Sequence, residues 1–105
     1  MSVYGGWKTA TIADEGTDSG ETDLGHDYDF LDIIIPTIDS ASLTLKVANV
    51  AGGTYQTLGD GIKTAATTGG YSDTFKLGGW QHIKVISSPK QSTSAVSFKV
   101  RGWRF

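Results

Sequence analysis

Runs of this chain alternate apolar and polar side chains with a period of two, and no window of ten or more residues repeats at 3.6. Such a pattern demands extended strands with one face on a core and the other toward water, and leaves no amphipathic helix to build with. In Ser42–Ala48, Leu43, Leu45 and Val47 share one face, and Thr44, Lys46 and Ala48 the other. In Ala95–Trp103, Val96, Phe98 and Val100 line one face opposite Ser97, Lys99 and Arg101. In Trp80–Ser88, Ile83 and Val85 oppose His82, Lys84 and Ile86, which places His82 on a solvent-facing position. Tyr28–Ile35 is more apolar and reads as a central strand, stopped by Pro36, which has no N–H for a ladder. Weaker strands are expected at 8–13, 54–58, 62–67 and 73–77.

Glycine punctuates these runs. Gly5-Gly6, Gly52-Gly53, Gly59-Asp60-Gly61, Gly69-Gly70 and Gly78-Gly79 each separate two strand-like segments and read as turns, the third as a hairpin. The chain holds 14 Gly in 105 residues and is only 38% apolar and 19% charged, a balance that suits many turns and half-exposed strands. Seven to eight short strands at this spacing fit a two-sheet sandwich or a small barrel. The expected fold is all-β: a single antiparallel β-sandwich, jelly-roll or immunoglobulin-like, spanning 1–105, with 1–7 as an N-terminal arm able to reach a neighbour. Residues 14–27, polar and acidic, are expected to form the one long loop.

The chemistry-bearing residues are sparse. Without Cys there is no disulfide, thiolate or Cys-held zinc. A net charge of −2 lacks the dense basic surface that duplex DNA demands, so nucleic acid is not expected as a partner. No leader opens the sequence and no run approaches the ~20 apolar residues that span a bilayer, so no export signal and no membrane are expected. His26 and His82 stand alone, with no nucleophile motif beside them. Asp27, Asp29 and Asp32, with Asp14, Glu15, Asp18, Glu21 and Asp23 upstream, hold oxygen ligands for a cation but match no calcium loop, and fit a solvated acidic face better. No glycine-rich loop precedes a helix to cradle phosphate. The expectation is a non-enzymatic protein with no cofactor and no metal.

Aromatic and basic residues are more informative. Trp7, Trp80 and Trp103 each follow a glycine, and Trp is a residue that buries its body while keeping a polar handle. Parity puts Trp103 on the outward face with Lys99 and Arg101, as an exposed anchor for a subunit interface or a ligand. Tyr4, Trp7, Lys99, Arg101, Trp103, Arg104 and Phe105 form the candidate interface. Tyr55, Tyr71 and Trp80, aromatic and near turns, are the candidate ligand-facing residues, since a flat ring can stack on a sugar. Basic residues crowd the last strand and acidic ones 14–32, a division that suits contacts between copies.

The order of these segments carries a resemblance. Thr11-Ile12-Ala13, Asp23-Leu24-Gly25, the strand Phe30–Pro36, Ala41–Val47, Gly53–Leu58, Gly79–Val85 and Phe98–Arg104 follow one another as in small β-sandwich structural proteins of tailed bacteriophages. These resemble carbohydrate-binding or immunoglobulin-like modules and include head-fibre and tail-adhesin neighbours. The resemblance spans nearly the whole chain but consists of strand and turn patterns. It implies a capsid decoration (cement) protein on the outer surface of the virion head, bound to the major capsid protein as a homo-oligomer, a trimer by preference. The alternative it implies is a carbohydrate-binding adhesin module of a head or tail fibre, with host-surface glycans as partners.

Overall fold

A computed structural model describes residues 3–58, 64–88, 91 and 95–104. The strands are β1 (Val3–Tyr4), β2 (Lys8–Ile12), β3 (Thr22–Ile35), β4 (Ala41–Ala48), β5 (Gln56–Thr57), β6 (Thr64–Thr67), β7 (Tyr71–Ser88) and β8 (Val96–Arg104). Every pairing among them is antiparallel, in the order β1-β8-β3-β7-β4-β5, with β2 also on β8 and β6 on β4.

Two long strands turn this one sheet into two layers. The second half of β7 pairs with β4 (Val47↔Ile83, Leu45↔Val85) and with the start of β3 (Thr22↔Ile83, Asp23↔His82). The first half pairs with the end of β3, from Phe30↔Lys76 to Ile35↔Tyr71, and there β3 also pairs with β8. Between the halves the register shifts twice, at Asp23/Tyr28 and Tyr28/Phe30. Gly25, Gly78 and Gly79 take φ of 91°, 76° and 95° at that fold-over, a region that costs a side chain strain but glycine nothing. Gly78-Gly79, read from the sequence as a turn between two strands, is therefore a corner inside one strand of 18 residues.

The core lies between the layers. Leu43, Leu45, Val47, Ile83 and Val85 from one meet Leu31, Ile33, Phe75, Leu77, Phe98 and Val100 from the other, all but fully buried. The acidic stretch closes the side. Ile12 bridges Ser19, Asp18 bridges Ile86, and Ser87 N–H donates to the Thr17 carbonyl at 2.7 Å. Ser19 Oγ accepts from Val85 N–H at 2.8 Å. The expected loop over 14–27 is thus tied to the sheet in its middle, and its end, from Thr22, already belongs to β3.

His82 departs from expectation. It is buried, at 7% exposure, and its Nδ1 has no hydrogen-bond partner among the described residues. Alternation does put it on the outward side of its layer, but the 49–55 segment is drawn across that side. Glu21 Oε2 accepts the Gly52 N–H at 2.7 Å, and the Lys84 ammonium lies 4.6 Å from the centre of the Tyr55 ring. The Gly59-Asp60-Gly61 hairpin lies outside the described residues.

Candidate functional site

On the outward face of the β8–β3–β7 layer, strand register aligns Trp103, Phe30 and Lys76; Arg101, Asp32 and Thr74; and Lys99, Ile34 and Ser72. Asp32 organises the middle row. Its Oδ2 accepts from Arg101 Nε at 3.1 Å, and its Oδ1 from Trp103 Nε1 at 2.8 Å and from Thr74 Oγ1 at 3.0 Å. Trp103 stacks on Phe30 with centroids 4.5 Å apart and tilts against Tyr4 at 5.7 Å. The Arg101 guanidinium sits 4.6 Å from the ring centres of both Tyr4 and Trp7, within cation–π range of each.

Tyr4 and Trp7 belong to this face. Val3 and Tyr4 pair with Arg104 and Trp103, and Gly5 N–H donates to the Gly102 carbonyl at 2.8 Å. Tyr4 and Trp7 remain 54% and 46% exposed, and Ile34 42%, so aromatic and aliphatic surface faces solvent around an arginine whose geometry is fixed. Lys99 Nζ donates to Thr9 Oγ1 at 2.8 Å at the margin. A depression of about 380 Å³ runs between Trp7, Arg101, Asp32, Ile34, Ser72 and Thr74. Of the interface residues expected from sequence, Tyr4, Trp7, Arg101 and Trp103 converge here, Lys99 and Arg104 lie at the edge, and Phe105 falls outside the described residues. Asp32, Phe30 and Thr74 were missed as members. Only the pairing Asp32↔Arg101, invisible in a linear sequence, shows them.

The ligand-facing aromatics do not gather. Tyr71 pairs with Ile35 at the far end of β7, about 30 Å of strand from Trp80. The Tyr55 hydroxyl is buried and approaches the Glu21 carboxylate without reaching full hydrogen-bond geometry, while Lys84 covers its ring. Trp80 alone stands where a ligand could meet it. It is half-buried against the core and lines two depressions at the fold-over end. One, of about 510 Å³, is bounded by Val47, Asn49, Val50, Thr54, Gln56 and Leu58; the other, of about 340 Å³, by Asp27, Asn49, Gly78, Gly79 and Gln81. Among the described residues no three His, Cys, Asp or Glu side chains converge on a metal position.

Electrostatics tie the 49–55 segment to the body. Tyr55 and the Gly52 N–H hold the Glu21 carboxyl below its ordinary value of 4.5, and burial together with Glu21 pushes the Tyr55 phenol up. A depressed carboxylate stabilises the fold above its unfolded pKa and loses that contribution as pH falls through the folded value. Tm should therefore drop on the acid side, and Glu21→Gln should flatten the drop below about pH 4.5. Thermal melts of both proteins from pH 7 to pH 3 check this, and parallel curves would refute it.

No protein-family model and no curated protein sequence matches the chain. Solved structures do. The SPBc2 prophage-derived protein YomS superposes with a TM-score of 0.58 at 14% identity, covering 98% of this chain and 96% of that one. Chitosan-binding module 1 of a chitosanase/glucanase from Paenibacillus sp. IK-5 superposes with a TM-score of 0.56 at 15% identity, covering 89% and 75%. IMPa from Pseudomonas aeruginosa, solved with an O-glycopeptide, superposes with a TM-score of 0.51 at 19% identity, with 95% of this chain matching 13% of that one. At these identities the likeness is one of fold: all-β, antiparallel, sandwich-like.

Proposed function

We propose that the chain is a non-catalytic structural protein of a bacteriophage particle, a decoration protein that docks on the outer head surface through its aromatic–arginine face. The observation that carries this reading is the Asp32–Arg101 pair with Tyr4, Trp7 and Trp103 packed around it on an exposed sheet face. Tyr, Trp and Arg are the residues that dominate binding energies at protein interfaces, and here they are locked in place before any partner arrives. The fold match to a prophage-derived protein over almost the whole of both chains supports the viral setting. The partner is the major capsid protein, and a symmetric homo-oligomer, a trimer by preference, repeats the face at each lattice position.

Purified protein mixed with undecorated heads should saturate at a fixed copy number. Trp7→Ala removes an exposed ring, leaves the core untouched, and should weaken binding about 30-fold, the scale of one interface hot spot. Unsaturable binding, or full affinity in that variant, would remove this reading.

A second reading is a saccharide-binding module of a head or tail fibre. Trp80 between two depressions favours it, and so does the fold shared with a chitosan-binding module. A glycan array probed with wild type and Trp80→Ala separates the two.

A further inference from the structure

We propose that the fold-over end is a saccharide subsite that takes uncharged or amino sugars and rejects acidic ones, the sugar chain crossing Trp80 from one depression to the other. The proposal rests on the saccharide reading above and adds the chemical class of its ligand.

Trp80, Ala48 and Asn49 line both depressions, so the two form one track with the indole at its middle. The larger, at about 510 Å³, falls within the range of small-molecule sites. Its lining combines the apolar surface of Val47, Val50 and Leu58 with the neutral polar groups of Asn49, Thr54 and Gln56. That is the pairing a pyranose presents, with C–H groups on its face and hydroxyls at its rim.

Charge sets the class. Among the described residues lining either depression there is no Lys, Arg or His, and Asp27 is the one ionisable group. Beside it, Gln81 Nε2 and Gly25 N–H donate to Asp23 Oδ1 at 2.9 and 2.8 Å, which holds that carboxyl below its ordinary range and keeps it charged. The same bond fixes the amide of Gln81, whose side chain borders the smaller depression. Among the described residues, Lys84 lies over the Tyr55 ring, and neither Lys8 nor Lys84 lines a depression. A uronic or sialic acid would set its carboxylate against Asp27 with no counter-charge among the described lining residues, whereas an ammonium on the sugar would pair with it.

The test uses the intact chain and three oligosaccharides of equal length, a glucosamine, an N-acetylglucosamine and a uronic acid oligomer, titrated by calorimetry at physiological salt. Binding is expected to the first two. Trp80→Ala, and Asn49→Ala as a variant that leaves the core packing intact, should each weaken both by about tenfold or more. Asp27→Asn should weaken the glucosamine oligomer alone by about tenfold, and Asp14→Asn, at the opposite end, should change nothing. Preference for the uronic oligomer, equal losses in Asp27→Asn and Asp14→Asn, or binding unaffected by both Trp80→Ala and Asn49→Ala would overturn the proposal while leaving a saccharide role standing elsewhere on the molecule. No binding to any oligomer would overturn both.

Discussion

Replacing Gly102 with alanine is expected to lower Tm by about 12 °C or more. A Cβ at this position would fall inside the contact distance of Cδ2 of Tyr28 and 2.8 Å from its Cε2. Tyr28 cannot step aside, because it is 4% exposed at the fold-over of β3, and its hydroxyl stands against Gly5. Gly102 itself is paired on both flanks, with Leu31 on β3 and with Gly5 through its carbonyl, so the backbone is held as well. Overpacking of a closed site costs about 3 kcal/mol, and each kcal/mol shifts the Tm of a domain this size by roughly 4 °C or more. Gly6→Ala supplies the contrast: nothing lies within 4 Å of its Cβ and its φ is not left-handed, so Tm should hold or rise slightly. Calorimetry on the two variants checks the pair of expectations. Equal melting temperatures would mean that Tyr28 does not wedge the corner.

The second large effect is expected from Asp32→Ala. The carboxylate accepts from an arginine, an indole and a hydroxyl at once, and removing it strands all three donors on a half-buried face. Charge-assisted bonds are worth about 1.5–3 kcal/mol each when desolvated. The Asp32 and Arg101 side chains are 22% and 31% exposed, so solvent screens the pair, and a net loss of about 2 kcal/mol is the expected scale. The consequence for docking should be larger than that for stability. Without Asp32, Arg101 and Trp103 lose the geometry that Tyr4 and Trp7 pack against, and head binding should fall well over tenfold. Asp32→Asn keeps an oxygen for Trp103 and Thr74 and should recover most of the stability but not the docking. Urea denaturation alongside head-binding isotherms separates the two effects, and wild-type binding by Asp32→Ala would contradict the assigned face.

The sequence carried the strands because alternation survives wherever one side of a strand meets a core. Leu43, Leu45 and Val47, or Val96, Phe98 and Val100, could face nowhere else, and the same parity put Trp103 beside Arg101. It failed where one local signal has two structural meanings. A glycine pair marks a turn or a strand corner equally well, and only the partner strand decides; at Gly78-Gly79 the fold-over of β3 alongside decided for a corner. It failed again where burial comes from a distant segment. His82 is outward by parity, yet Glu21 and Tyr55, far away in the chain, bring 49–55 across it. Among the candidate site residues, types were readable and neighbours were not. Nothing local brings Trp7 to Arg101, or parts Tyr71 from Trp80 by half the length of β7.

Because β3 and β7 each run through both layers, neither layer can slide on the other without straightening two backbones at their glycine hinges. A mechanical load applied to one face is then carried into the other through covalent chain as well as through side-chain friction, so the module should yield as one unit. That is stiffness gained from topology, with no cross-link needed.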